Sequence, residues 1–332
     1  MSIHLNRVRY IKPWPFALTV LVLALLTAAD SSNAGYSRSA LGAEFLFSGE
    51  ELTEPVDTSA FTPPSAPNQA GHQLNGRLEI IEPISNGRFK VLTDEFARMQ
   101  DSGLDVQQLP SLNIELVQDG NDIIPVQRGP LPGDHPYWEW ILEPGKIWHE
   151  PEDLGFSRVA LPFSLQQRNQ NCTHHGMLTF LIRSDGDASR MAYQLVSETC
   201  IWLKIDLWGL QEIRYTPAKV DSANAVIERH RRDVARRLPV RPMESLGEHH
   251  PSADHKRLEP QSPEHATIWG LMVDGIHYIG GCQTRFGPYP FCEVLDLPSY
   301  SVAKSLFAGL GYMHLEQRFP GIGREQVTDW VH

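Results

Sequence analysis

Apolar and polar residues alternate in short runs between about residues 74 and 217, among them Leu78-Glu79-Ile80, Asn113-Ile114-Glu115-Leu116-Val117 and Trp138-Glu139-Trp140-Ile141-Leu142. A period of two puts every second side chain on one face of a strand, and the prolines and glycines between the runs keep each piece short. This stretch therefore predicts a mostly-β module. The period changes over Ser222–Leu238, where Ala223, Val226, Ile227, His230, Val234 and Leu238 fall at helical spacing. Arg229, Arg231, Arg232, Arg236 and Arg237 surround them, which predicts a basic amphipathic helix with a solvated outer face. Alternation returns at Trp269, Leu271 and Val273 and again at Ile276 and Tyr278, with Asp274-Gly275 between the two runs. Asp-Gly suits the two positive-φ positions of a tight hairpin turn, so two paired strands are expected there. A loop over Cys282–Pro298 leads to an apolar helix from about Ser301 to Gln317, which Pro320-Gly321 ends.

The flanking segments divide the chain further. Arg7, Arg9 and Lys12 precede an apolar stretch, Phe16–Ala29, and then the small residues Ser32-Asn33-Ala34 before Gly35. Charge, apolar segment and small-residue site in that order read as a secretory signal over residues 1–34. The apolar part is shorter than the roughly 20 residues of a spanning helix, so no stable membrane span is expected after cleavage. Residues 35–73, rich in Pro, Ser and Thr, read as an extended arm. Residues 74–238 read as the β domain with its terminal basic helix, 239–265 as a linker, and 266–332 as a further, incomplete domain. The expected fold class is α+β.

Charge narrows the partners. The chain carries a net charge of −11, and loss of the signal removes three cations against Asp30, leaving the mature protein more acidic still. Such a chain binds polyanions poorly, so a nucleic-acid partner is not expected. Cys172, Cys200, Cys282 and Cys292 all survive cleavage. An even number of cysteines in an exported chain favours disulfides, and no zinc-type Cys spacing is present. Proximity in sequence favours Cys172 with Cys200 and Cys282 with Cys292, although three pairings exist. A periplasmic or secreted protein follows. Trp138, Trp140, Trp148, Trp202 and Trp208 are candidates either for the core or for an aromatic sugar-binding face.

The chemistry that stands out lies in Leu297-Pro298-Ser299-Tyr300-Ser301-Val302-Ala303-Lys304-Ser305. Ser301 and Lys304 fall at i and i+3 on one helical face, so the amine can reach the hydroxyl. A serine hydroxyl needs a neighbouring base to act as a nucleophile, and a lysine becomes one only when burial or nearby charge favours its neutral form. Val302, Ala303, Leu306 and Phe307 would supply the apolar company. No Gly-x-Ser-x-Gly elbow, phosphate loop or His-Glu-x-x-His motif competes with this pair.

A hairpin, a loop and an apolar helix opening on Ser-x-x-Lys-Ser resembles the start of the serine β-lactamase and penicillin-binding-protein superfamily, and is most similar to its class C-like, β-lactamase-related hydrolases. The resemblance covers residues 266–332. It implies the start of an α/β domain, with Ser301 as acylated nucleophile and Lys304 as its proton-transfer partner. It also implies Gly309 and Gly311 as close-packing positions in a buried helix, a small-molecule or peptide acyl substrate, and no cofactor. Members of the family also carry Tyr-x-Asn or Ser-x-Asn downstream of the nucleophile and Lys- or His-x-Gly on a later strand. Neither follows Lys304 here, and His174-His175-Gly176 lies upstream. The expectation is thus a truncated, inactive form of an exported serine hydrolase. The alternative is a non-catalytic secreted β-rich binding or envelope-associated module, for which the tryptophans and the missing motifs speak.

Overall fold

The computed structural model describes residues 40–97, 99, 106–168, 171–262, 265–326 and 328. The export signal read over 1–34, with its cleavage site, lies outside these residues. Eleven strands form one antiparallel sheet: β1 (Gly76–Ile80), β2 (Arg88–Asp94), β3 (Asn113–Asp119), β4 (Asp122–Pro125), β5 (Trp138–Leu142), β6 (Gly145–His149), β7 (Ser157–Gln167), β8 (Thr173–Ile182), β9 (Met191–Thr199), β10 (Leu203–Gln211) and β11 (Ile213–Pro217). Their order is β11-β1-β3-β4-β6-β7-β8-β9-β10-β2, and the far half of β7 pairs with β5. At about 4.8 Å per strand a flat sheet of this order would hold its ends roughly 43 Å apart. Yet Leu78 on β1, Tyr215 on β11 and Phe89 on β2 all pack on one hydrophobic cluster, so the sheet is strongly curled around it.

The middle strands are buried on both faces, which explains why they read as nearly continuous apolar runs. Val159, Leu161 and Phe163 of β7 turn into the curled core with Leu178 and Phe180 of β8 and Tyr193 of β9. Ala160, Met177, Leu181, Ala192 and Val196 point the other way, into a second cluster. Gly176 sits where the faces crowd: a Cβ there would lie 2.7 Å from the Gln194 carbonyl oxygen and closer still to the Phe163 ring. The letters His-His-Gly in this segment thus have a packing origin. Trp138, Trp140 and Trp148 are fully buried and Trp208 nearly so, which leaves half-buried Trp202 alone of the five and no aromatic face among them.

The second cluster corrects the reading of residues 35–73 as an extended arm. Over its described part this segment is the covering layer. Its helix α1 (Ala43–Phe47) buries Ala43 and Leu46, and Leu41, Ala60 and Phe61 join them against the sheet. Polar clamps fix it there. The Gln194 side chain bonds both the N–H and the C=O of Val56, each at 2.8 Å, and buried Arg158 donates to the Leu41 carbonyl. Tyr289 and Phe291, from the region assigned to a separate C-terminal domain, complete the same layer.

The basic helix is α2 (Ala223–Ala235), which buries Val226 and His230 against β3 and β4 and pairs Arg231 with Asp119. Residues 239–265 do more than link. Val240–Pro242 forms β12, parallel to β14 (Ile276–Gly281), which pairs in turn with β13 (Ile268–Val273). Met243 and Leu246, the latter opening the short helix α3 (Leu246–His249), bury Tyr278 beneath this small sheet. The hairpin turn is as its sequence predicts: Val273 pairs with Ile276 across Asp274 and Gly275, at φ 50° and 75°. Gln283–Thr284 and Gly287–Pro288 add a small separate pair, β15 and β16.

Cys172 is bonded to Cys200 and Cys282 to Cys292, with Cα–Cα distances of 4.7 and 6.0 Å. Among the described residues no helix is long and apolar enough to cross a membrane. The second bridge closes a loop ten residues apart in sequence, for which the chain-entropy relation gives about 2 to 3 kcal/mol. Non-reducing peptide mapping should recover a Cys282–Cys292 crosslinked peptide, and Cys282→Ala/Cys292→Ala should lower stability by that amount. Free alkylation of both thiols in the native protein would contradict the bridge.

Candidate functional site

Ser301 opens a continuous helical segment. Val302 and Ala303 begin it, Lys304–Gly309 follows as a turn of π-helix, and α4 (Leu310–Arg318) completes it. Gly321, at φ 97°, ends it, and the Glu316 carboxylate accepts the N–H groups of Gly321 and Gly323 at 2.7 and 2.9 Å. Those bonds hold the Glu316 carboxyl below its ordinary pKa. The sequence spacing brings the two chemical groups together: Lys304 Nζ donates to Ser301 Oγ at 3.2 Å. A widened π-turn at this point fits a functional helix, where such bulges are frequent.

Tyr300, immediately before the serine, has φ 44°, a left-handed conformation that costs free energy in a residue with a bulky side chain. Its phenol donates to the Thr199 carbonyl at 2.8 Å and so ties the Ser301 turn to the end of β9. Partial burial raises the Tyr300 pKa. Thr199 also belongs to a polar chain. Its hydroxyl lies 2.9 Å from His175 Nε2, and His175 Nδ1 lies 3.2 Å from Ser164 Oγ. The Ser164 hydroxyl in turn hydrogen-bonds the Asp296 carboxyl. His175 thus bridges Ser164 and Thr199, and the Thr199 hydroxyl also meets that of Thr267 at 2.9 Å. Burial holds His175 at a pKa of about 3, and the neighbouring His174 adds to the shift. Burial pushes Asp296 up to about 6, with Arg128 and Ser164 pulling against it.

The approach to the serine is strapped down along its length. Arg285 donates to Asp206 at 2.9 Å and to Glu198 at 2.7 Å, and Tyr289 donates to the Gly176 carbonyl at 3.2 Å. Burial raises the Glu198 carboxyl despite that arginine. Sequence reasoning did not find Tyr300, Thr199, Asp296 or Arg285, because each acts through a partner between 79 and 132 positions away. The one available signal was the pairing of a tyrosine with the candidate serine.

The apolar company expected around Lys304 is absent. Ser301 and Lys304 are exposed, and so is the helix that carries them, with Phe307 79%, Met313 65% and Leu310 60% accessible. A Cβ at Gly309 or Gly311 would meet nothing within 4 Å, so neither glycine is needed for close packing here. Nor does the hairpin shelter the helix, since its buried face is taken by Met243 and Leu246. The arrangement brings an amine within hydrogen-bond reach of a serine hydroxyl, on a helix that faces water. No protein-family model, no curated protein and no solved structure matches this chain.

Proposed function

We propose that this chain belongs to an exported serine hydrolase of β-lactamase-related type, in which Ser301 is the acylated nucleophile and Lys304 its proton acceptor. The observation that carries this reading is the 3.2 Å contact from Lys304 Nζ to Ser301 Oγ at the start of a helix, directly after a left-handed tyrosine. In the reaction, Ser301 Oγ attacks the carbonyl carbon of an acyl substrate while neutral Lys304 takes the hydroxyl proton. The lysine returns a proton to the leaving group, and water then releases the acyl group from the serine. The helix exposes several large apolar side chains that would gain from burial. In the proposed hydrolase further sheet covers Leu306, Phe307, Leu310 and Met313, and the same cover dries the amine. The curled sheet, with its two disulfides, serves as the platform that fixes the Ser301 turn through Tyr300 and the 282–296 strap. Disulfides fit an oxidising compartment, periplasmic or extracellular.

The test is covalent labelling. In a chain that also carries the family's two later motifs, a fluorophosphonate or penicillin-type probe should attach to Ser301. Either Ser301→Ala or Lys304→Ala should abolish the label, because nucleophile and base act as a unit. The 332-residue chain by itself is expected to turn over little or nothing, since its lysine is wet. A covered helix that takes no label at Ser301 would overturn the assignment. Robust hydrolysis by the 332-residue chain, lost on Ser301→Ala, would show instead that no further cover is required. A second reading, a non-catalytic binding module, is favoured by a groove whose lining does not include the Ser301 turn.

A further inference from the structure

That groove, of about 530 Å3, runs between the C-terminal half of α2, the small sheet β12–β14 and the turn at Phe291–Val294. Its volume falls within the roughly 300 to 1,000 Å3 typical of small-ligand sites. Val234, Leu238, Val240, Ile268, Ile279 and Phe291 give it an apolar lining. Its charged groups are Lys146, Asp122, Arg237 and Glu293, with His230 and His277 beside them.

The two cations of the groove keep donors that their carboxylate partners do not use. Both oxygens of Asp122 are engaged, Oδ1 by Lys146 Nζ at 2.5 Å and Oδ2 by His230 Nε2 at 3.4 Å. Lys146 carries three N–H donors and uses one on Asp122, which leaves two. Arg237 meets Glu293 at 3.7 Å, an ion-pair separation longer than a hydrogen bond, so its planar fork of donors stays open. Glu293 itself is 64% exposed at the rim, against 34% for Arg237. Each cation has a carboxylate partner, Asp122 for Lys146 and Glu293 for Arg237, but Glu293 lies at the exposed rim and donors on both cations remain unused. A ligand that complements these donors brings acceptors on a small head, and an apolar body for the lining.

We propose that this groove binds a single-headed apolar carboxylate, of the medium-chain fatty-acid type, with its head at Lys146 and Arg237 and its chain along Val234, Leu238 and Ile279. Phe291, Cys292, Glu293 and Val294 belong to the 282–296 strap, but no lining residue belongs to the Ser301 turn or to the polar chain behind it, and binding here does not require the hydrolase assignment.

The experiment is calorimetric titration of the folded, disulfide-bonded protein with decanoate, decanol and decyltrimethylammonium at matched ionic strength. Decanoate should bind saturably at one site, with the alcohol and the cation at least about tenfold weaker, the scale of a lost charge-assisted hydrogen bond. Lys146→Met and Arg237→Met should each weaken decanoate about tenfold and leave decanol binding unchanged. Leu238→Trp, which fills the groove from an exposed position, should abolish decanoate binding. The inference fails if the cation binds as tightly as decanoate, or if Arg237→Met, shown folded by an unchanged melting temperature, binds decanoate as before. It fails equally if binding persists in Leu238→Trp, which would place the fatty acid on the exposed apolar helix, or if only anionic vesicles bind and monomeric decanoate does not.

Discussion

Stability is expected to fall steeply as the pH drops below 6.5, because two histidines are folded into the protein in their neutral form. His174 and His175 both lie fully buried on β8, and burial lowers each to a pKa of about 3 from the usual 6.5. Between those values the unfolded chain binds the protons that the folded chain refuses. Stability is therefore complete above 6.5 and is lost as the pH falls, by about 1.4 kcal/mol per pH unit for each histidine. Asp296 works in the opposite sense. Its folded pKa of about 6 lies above its ordinary value of 3.8, so over that window the folded state binds the extra proton and gains stability as the pH falls. For these three groups, one proton against two leaves a net loss of about 1.4 kcal/mol per unit between pH 6 and 4, which the raised Glu198 carboxyl softens at the acid end. That amounts to about 3 kcal/mol out of the 5 to 15 kcal/mol that typical domains possess. Urea unfolding at pH 7, 6, 5 and 4.5 should display this slope. His175→Gln, which keeps a donor and an acceptor for Ser164 and Thr199, should flatten it by one proton's worth. Stability unchanged from pH 7 to 4.5 would mean that neither imidazole is shielded from protonation.

A loss of comparable size is expected from Asp153→Ala. Arg158 Nε and Nη2 donate to the two Asp153 oxygens at 2.9 and 2.5 Å, and both side chains are about 1% exposed. Glu150 approaches only to 4.0 Å, and the third guanidinium nitrogen, Nη1, donates to the Leu41 carbonyl. Removing the aspartate leaves a buried cation without its bidentate partner, which typically costs about 3 to 5 kcal/mol. Because Arg158 also holds Leu41, the layer formed by residues 41–61 should loosen along with the global stability. Denaturant midpoints, together with proteolysis within that layer, measure both effects. The double variant Asp153→Leu/Arg158→Met should recover most of the loss, since it removes the charge along with its partner. A single-variant cost below about 1 kcal/mol would show that water reaches the guanidinium.

Much of the local structure was legible in the chain. The alternation of Leu78-Glu79-Ile80 and Trp138-Glu139-Trp140 marks strands because one face of each is buried, and Asp274-Gly275 marks a turn because few residues accept its two positive φ angles. The helical spacing of Val226 and His230 depends only on the 3.6-residue period, and the i, i+3 contact of Lys304 with Ser301 forms where it was expected, although the turn that follows is widened to a π-turn. The proximity pairing of Cys172 with Cys200 and of Cys282 with Cys292 likewise needed only short loops.

What the sequence could not show is who covers whom. Residues 41–61 look like an arm because Pro, Ser and Thr predominate, yet a few apolar residues, Leu41, Leu46, Ala60 and Phe61, suffice to dock it once β7–β9 present a second hydrophobic face. Residues 239–265 look like a linker because no long period is present, yet Val240–Pro242 finds the open edge of β14, whose N–H and C=O groups require partners. The candidate nucleophile divides the same way. Helical periodicity by itself determined that Lys304 reaches Ser301, since a contact at i and i+3 is a property of the local backbone. Whether that pair is dry and reactive is decided only by tertiary packing, because burial of an amine depends on distant parts of the chain, and here the helix that bears it faces water.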